Sequence, residues 1–430
     1  MHADPTTAAR PRLRIALLTQ YYPPEIGAPQ NRLADLARRL SERGHEVTVL
    51  TAMPSYPRGR VYDGYGGFFR RERRDGITVI RSFIYPTQSA GMLKRLANYF
   101  SFVISSLVVG IGALPRVDYL LTESPPLFLG IAGYLLSRLK GARWIFNVSD
   151  LWPETAVRLG VVREGLALRL AYRLEAFCYR KAWLVTTQTR GMKADIDARF
   201  PEVTTYHLSN GVDLSRFSSD KRSERLRAEL LGAAPGQNHS CLAIYAGLHG
   251  LAQGLDQLLQ AAQRLQDHSA LRFVFLGEGP EKEGLVRASR DLGLRNVRFL
   301  DAVPAAEMPS LLASADIALV PLKLALPGAA PSKLYEAMGS GVPVLLVAGG
   351  EAAAIVNDSG AGMVLPYGDV DGLANALREL AEDPERRRRL GEAGRRAATE
   401  RFDRARIAAD FAGYLERAGD ASERRSPARG

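Results

Sequence analysis

Three short stretches carry the residue types that hold a phosphate. Each sets glycine after an apolar, strand-like run: Tyr21-Tyr-Pro-Pro-Glu-Ile-Gly-Ala28, Tyr245-Ala-Gly-Leu-His-Gly-Leu-Ala-Gln-Gly254, and Leu326-Pro-Gly-Ala-Ala-Pro-Ser-Lys-Leu-Tyr-Glu-Ala-Met-Gly-Ser-Gly-Val-Pro-Val344. Glycine lets backbone amides approach an anion, and a helix that follows adds the positive end of its dipole. Any one of them alone reads as a tight turn. In the third, Pro331 and Ser332 are helix-opening types by the N1 and N-cap preferences, which puts Lys333 in the first turn, where it can aim at an anion. Glu336 then lies on the same helix face. A carboxylate there suits two ribose hydroxyls, while Lys333 and the dipole neutralise a diphosphate; the plain alternative is an i, i+3 ion pair.

Asp150, just past the strand-like run Trp144 to Val148, stands at a carboxyl strand end, where sheets of this kind bind ligands, with Glu154 four positions on. The plain alternative is that Asp150 caps the turn Leu151-Trp-Pro. His249 sits inside the second glycine loop, within reach of a phosphate, whereas His45 and His207 read as packing residues. The aspartate pairs Asp195/Asp197 and Asp369/Asp371 have the spacing of a diphosphate-metal site but fall in a helix-like stretch and at a helix start, so they read as surface or capping residues. No metal is expected. With two cysteines, Cys178 and Cys241, neither a disulfide framework nor a Cys-rich metal site is available, which fits a reducing cytosol.

These residues need elements to position them. Strand-like runs at Leu13 to Thr19, Glu46 to Thr51, Ile77 to Phe83, Tyr119 to Thr122, Trp144 to Val148 and Trp183 to Thr187 alternate with helix-like stretches. The pattern breaks at Leu208-Ser-Asn-Gly-Val-Asp213 and restarts at Cys241, with further runs at Arg272 to Leu276, Val297 to Leu300, Ile317 to Pro321, Val342 to Val347 and Gly362 to Leu365. A chain of 430 residues exceeds one ordinary core. The expected class is α/β, two doubly wound Rossmann-like domains facing a central cleft. The first would span 12–212 and the second 213–403; a helix at 404–418 would cross back to the first, and 1–11 and 419–430 would be disordered tails.

The net charge of +11 suits nucleic acid, an anionic membrane or an anionic substrate. No aromatic-interleaved basic strand or recognition helix supports nucleic acid. Arg70, Arg71, Arg73, Arg74, Lys94 and Arg95 precede an uncharged run, Arg95 to Arg116, that is long enough to span a bilayer. A span would part strands of one sheet, so a buried or interfacial helix resting on anionic lipid is expected; the alternative is a solvated basic face.

The three glycine motifs, Arg43-Gly-His-Glu-Val-Thr-Val-Leu50 and Asn210-Gly-Val-Asp213 together resemble the family 4 retaining glycosyltransferases of the GT-B fold, over roughly Arg12 to Leu415. Asp150-Leu-Trp-Pro-Glu154 with Pro331-Ser-Lys-Leu-Tyr-Glu336 is similar to the colanic-acid and O-antigen branch, which includes N-acetylfucosaminyl transferases. The resemblance implies transfer from a nucleotide sugar, UDP-linked by preference, to a polyprenyl-linked sugar at the inner face of the cytoplasmic membrane, with no cofactor. By it, 12–212 is the acceptor side and 213–403 the donor side; Gly27 approaches the donor diphosphate, Gly247, Gly250, Gln253 and Gly254 cradle it, Ser332 and Lys333 meet it, Glu336 holds the ribose, and Asp150, with Glu154 second, orients the acceptor hydroxyl. Gly277, Glu278, Gly279 and Val303 enclose the base. One departure stands out: the family's paired-glutamate motif has its first glutamate eight positions before the second, and here that position is Gly328. A dinucleotide oxidoreductase is disfavoured, because no G-x-G-x-x-G follows Leu13 to Thr19 and Thr51 stands where an acid would close strand two. Two further rivals are a GT-B nucleotide-sugar epimerase and a non-catalytic carbohydrate- or lipid-binding scaffold.

Overall fold

The computed structural model describes residues 11–87, 91–158, 165–232, 240–323 and 328–423. Expectations for 1–10 and 424–430, and the Leu326-Pro327 start of the third motif, lie outside them. The chain forms two units, one built from residues up to Ser209 and from Ala405 onward, the other from Asn210 to Arg404.

Unit 1 holds β1 (Arg14–Thr19), α1 (Ala28–Glu42), β2 (Glu46–Ala52), β3 (Phe69–Arg74), β4 (Ile77–Ser82), α2 (Met92–Ala113), β5 (Tyr119–Ser124), α3 (Leu129–Lys140), β6 (Arg143–Val148), α4 (Glu154–Arg158), α5 (Leu166–Lys181), β7 (Leu184–Thr187), α6 (Arg190–Arg199) and β8 (Thr205–His207). The sheet order is β3-β4-β2-β1-β5-β6-β7-β8, parallel except for β3 against β4. The middle of β1, Ile15 to Leu18, is apolar because both faces are covered: Ile15 and Leu17 pack with α1, Ala16 and Leu18 with α2 and α3.

The run Phe69-Arg-Arg-Glu-Arg-Arg74 is an edge strand, which the charge pattern alone did not suggest. It pairs antiparallel with β4, and Glu72 bonds Arg81, whose side chain is wholly buried, at 2.8 Å. Its arginines point charge outward from a strand edge, a common guard against edge-to-edge pairing.

In α2, Phe102, Val103 and Val109 are buried in the core, while Leu93, Phe100, Ile104, Val108 and Ile111 are exposed. The helix Leu93–Ala113 is long and apolar enough to cross a membrane, with 39% of it buried in the protein.

Unit 2 holds α7 (Glu224–Leu231), β9 (Cys241–Ala246), α8 (Asp256–Arg264), β10 (Leu271–Leu276), α9 (Lys282–Asp291), β11 (Val297–Leu300), α10 (Met308–Ala313), β12 (Ile317–Pro321), α11 (Ser332–Gly339), β13 (Val344–Val347), α12 (Gly350–Ser359), β14 (Gly362–Leu365), α13 (Val370–Glu382) and α14 (Pro384–Arg401). Its sheet, β11-β10-β9-β12-β13-β14, is wholly parallel. The Asn210-Gly-Val-Asp213 turn fastens the ends of this unit together: Val212 N donates to Phe402 O at 2.8 Å, Arg404 N to Val212 O at 3.0 Å and Arg404 Nε to Asn210 O at 2.9 Å.

The last helix, α15 (Arg404–Glu423), packs in unit 1, where Ala408, Phe411, Ala412 and Leu415 join the β1 core. It runs past residue 418, so 419–423 are helical rather than a tail. Arg43 bonds Glu416 through two nitrogens at 2.7 and 2.9 Å, and the Tyr119 hydroxyl donates to Leu415 O at 2.8 Å. His45 is buried beside Glu416, 3.1 Å away, as a packing residue would be.

Candidate functional site

In unit 2, the carboxyl ends of β9, β10 and β12 open onto the glycine loops and the start of α11. Gly247 ends β9 with φ +145, and a Cβ there would run into the end of the Lys333 side chain. Gly247 is therefore the seat of Lys333, whose ammonium also lies over the Tyr245 ring at 5.6 Å from its centroid. Gly277 and Gly279 serve another purpose. A Cβ on Gly277 would collide with Gly247 O and one on Gly279 with His249 O, so these glycines let two loops stack backbone on backbone. Gly247 N donates to Leu276 O and His249 N to Glu278 O, both at 2.8 Å. Gly277→Ala should cost about 2–4 kcal/mol, since it adds a backbone collision to a positive φ, and urea unfolding should show it; wild-type stability would mean that the loops can part at little cost.

Gly250 starts a short 3-10 turn, Leu251–Gln253, that Gly254 ends in the left-handed conformation, φ +58. The Gln253 Oε1 is buried without a hydrogen-bond partner. Glu278 does not face the loops alone: Lys282 bonds it at 2.8 Å and Asp301 at 2.6 Å. Val303 is partly buried against the core beneath α11.

Helix α11 begins with Pro331 at the cap and Ser332 as the first helical residue, with no side chain capping it. The third motif thus opens on a helix start without a side-chain cap, where Leu334 N donates to Pro331 O at 3.1 Å. Lys333 and Glu336 are recessed: burial pushes the Lys333 ammonium below its usual value and the Glu336 carboxyl above its own, each opposed by the charge of the other. Arg404 and Arg216 also favour the Glu336 carboxylate, and Ser332 bonds it. Both arginines escaped sequence reasoning. Arg216 follows the Asn-Gly junction by a few positions and Arg404 opens the last helix pattern, and nothing in either pattern ties it to Glu336. Gly328 has φ +69, so a glutamate there would be strained.

His249 is fully buried with neither ring nitrogen hydrogen-bonded, between the Tyr245 and Phe299 rings. Burial, with Lys282 and Lys333 nearby, lowers its pKa to about 4, leaving a neutral imidazole packed under the loop.

In unit 1, Gly27 is the N-cap of α1 and accepts from Asn31 N at 3.1 Å. The same loop holds Glu25, which the sequence did not single out. It is buried and accepts from Ser55 N and Tyr56 N at 2.7 Å each, binding this loop to the one after β2.

Asp150 follows β6. Its Oδ1 accepts from Thr155 Oγ1 at 2.5 Å, so it does brace the next turn, and burial raises its pKa against the hydrogen bonds from Thr155 and Leu151. Both oxygens of Glu154 are engaged, by Arg158 at 2.8 Å and the Tyr172 hydroxyl at 3.0 Å. Asp195 pairs with Arg199, Asp197 with Lys193 and Asp371 with Arg264, while Asp369 caps α13. Among the described residues no group of three or more His, Cys, Asp or Glu is placed to hold a metal.

Known proteins match this architecture. Residues 27–211 match the glycosyl transferase 4-like domain and 238–397 the glycosyl transferases group 1. The putative colanic acid biosynthesis glycosyl transferase WcaI of Escherichia coli is 28% identical over 76% of this chain and 81% of its own. The GDP-mannose-dependent alpha-(1-6)-phosphatidylinositol monomannoside mannosyltransferase of Mycolicibacterium smegmatis is 28% identical over 90% of this chain and 94% of its own. Among solved structures, a Thermosynechococcus elongatus sucrose-phosphate synthase superposes with a TM-score of 0.75 at 20% identity, covering 96% of this chain and all of the other. Anabaena HepE, in complex with UDP and glucose, gives 0.70 at 20% identity over 94% of this chain and all of its own. With both halves matched in order and the two parallel sheets in place, this chain belongs to the family 4 glycosyltransferases of the GT-B fold and is an enzyme that transfers glycosyl groups.

Proposed function

We propose that the chain is a retaining transferase that moves a sugar from a UDP-sugar to a lipid-linked acceptor at an anionic membrane surface, in the assembly of a bacterial surface polysaccharide. The Lys333 seat carries this reading: an ammonium held over Gly247, at the uncapped N-terminus of α11 and one helical turn from a recessed carboxylate. A diphosphate needs the first two, and a ribose needs the third. Lys333 and the α11 amides stabilise charge on the leaving diphosphate, the term that dominates when no protein nucleophile attacks. The departing phosphate oxygen then takes the acceptor's proton, and Asp150 of unit 1 orients the acceptor hydroxyl. Gly250, Gln253 and Gly254 of unit 2 complete the diphosphate's surroundings, and Gly277 to Gly279 with Val303 the base pocket. The UDP bound by HepE supports the choice of base.

The acceptor side rests on α2. Its exposed apolar row has Lys94 and Arg95 at one end, and hydrogen bonds from Asn98 to Tyr85 O and from Tyr85 N to Ser101 tie it to a strip with exposed Phe83 and Tyr85. Apolar side chains with adjacent cations suit an anionic bilayer surface, which supports the reading of a peripheral membrane enzyme at the cytoplasmic face.

Thermal unfolding with UDP, GDP, ADP and NAD, each with EDTA, tests the donor site. A ligand at a hundred times its Kd adds about 2.7 kcal/mol. A shift with UDP that persists in EDTA and vanishes in Glu336→Ala is expected. A shift with NAD alone, or with none, would remove the transferase site from these residues.

A further inference from the structure

Arg32 and Glu123 lie 91 residues apart and meet inside unit 1. Both are buried, at 5% and 3% exposure. One guanidinium nitrogen, Nη2, donates to Glu123 Oε1 at 2.5 Å and to Ser149 Oγ at 2.8 Å. The Ser149 hydroxyl and the Asn147 amide complete the carboxylate's hydrogen bonds, and Thr186 Oγ1 in turn holds Asn147 Oδ1 at 2.6 Å. Position gives this network its interest. Arg32 stands about one turn into α1, whose N-cap is Gly27, and Ser149 immediately precedes Asp150. A single side chain thus joins the helix that follows the Gly27 loop to the chain segment that presents Asp150.

Stability alone does not call for such a pair. Two desolvated charges hold a core no better than apolar groups of the same volume, and often worse. What they add is direction, because a planar guanidinium fixes the carboxylate and the hydroxyl in one plane, where an apolar contact would slide.

We propose that Arg32, Glu123 and Ser149 form a strut that holds the Asp150 loop in register with the Gly27 loop, which makes Arg32 and Glu123 positioning residues for transfer. The proposal rests on the reading of Asp150 as the group that orients the acceptor.

The full chain is compared with Arg32→Met/Glu123→Leu, Glu123→Gln and Asp150→Asn. Measured are the melting temperature, amide exchange across 20–28 and 149–155, and UDP release from whichever of UDP-glucose, UDP-galactose and UDP-N-acetylglucosamine gives the largest melting shift. In the apolar double variant the melting temperature should stay within a few degrees, while exchange in both loops rises about tenfold. Turnover should fall about 10²-fold with donor KM unchanged, the signature of misplaced groups. Glu123→Gln keeps an oxygen for Arg32 and should recover part of the turnover. Wild-type exchange in both loops would overturn the strut, as would exchange that rises throughout the unit 1 strands in step with a lost melting temperature. Asp150→Asn separates the two ideas: undiminished turnover there removes the Asp150 reading, while the exchange result judges the strut by itself.

Discussion

Lys333→Met is expected to lower sugar transfer about 10²- to 10³-fold, the usual effect of losing one preorganised group that stabilises developing charge. In the proposed mechanism the leaving diphosphate gathers negative charge as the glycosidic bond breaks, and Lys333 would meet it from a seat fixed by Gly247 and the Tyr245 ring. The loss should fall mainly on kcat, because the α11 amides still bind the ground-state diphosphate. An equal loss in KM alone would assign Lys333 to binding and not to the departing group.

The same residue has a cost without ligand. Burial lowers Lys333 from its ordinary 10.5 and raises Glu336 from its ordinary 4.5. A base with a depressed folded pKa destabilises the fold below that value, and the deficit shrinks as pH rises toward 10.5. An acid with a raised folded pKa destabilises the fold above that value, and the deficit shrinks as pH falls toward 4.5. Lys333→Met/Glu336→Gln should therefore gain about 1–2 kcal/mol near neutral pH and gain less at either extreme. A gain that does not vary with pH would locate its source elsewhere.

The second large effect concerns α2. Each apolar side chain withdrawn from water contributes about 1.5–3 kcal/mol, and Ile104, Val108 and Ile111 are 62%, 54% and 52% exposed. Ile104→Glu/Val108→Glu should reduce partitioning onto phosphatidylglycerol vesicles by about 10²-fold or more, with the UDP melting shift unchanged. Lys94→Gln/Arg95→Gln should weaken binding less, and the difference should fade in high salt, since surface lysines and arginines act through a screened field. Vesicle binding equal to that of wild type in both variants would detach the membrane from this face.

Much of this was legible in the chain. Apolar runs such as Leu13 to Thr19 and Cys241 to Ala246 announce strands covered on both faces, and glycine after them marks the loops. The run Phe69 to Arg74 was not legible as a strand: no β-branched residue or alternation marks it, and only its pairing with β4 and the Glu72 bond to buried Arg81 make it one. What forbids side chains at Gly277 and Gly279 was not legible either: it is the neighbouring backbone, a contact between separate loops. Nothing in the sequence singles out Arg32 and Glu123, because composition does not say which side chains meet in the fold.

The placement of α15 has a consequence for synthesis. Phe411, Ala412 and Leu415 fill the core around β1, so the first 209 residues cannot close that core until the last helix has left the ribosome. The segment from Asn210 to Arg404 meets no such delay, since its own ends pair through Val212 and Asp403. Domains normally mature from the N-terminus as they emerge. Here the expected order is inverted: the segment from Asn210 to Arg404 can mature before unit 1, whose strands wait, apolar and unfinished, for α15.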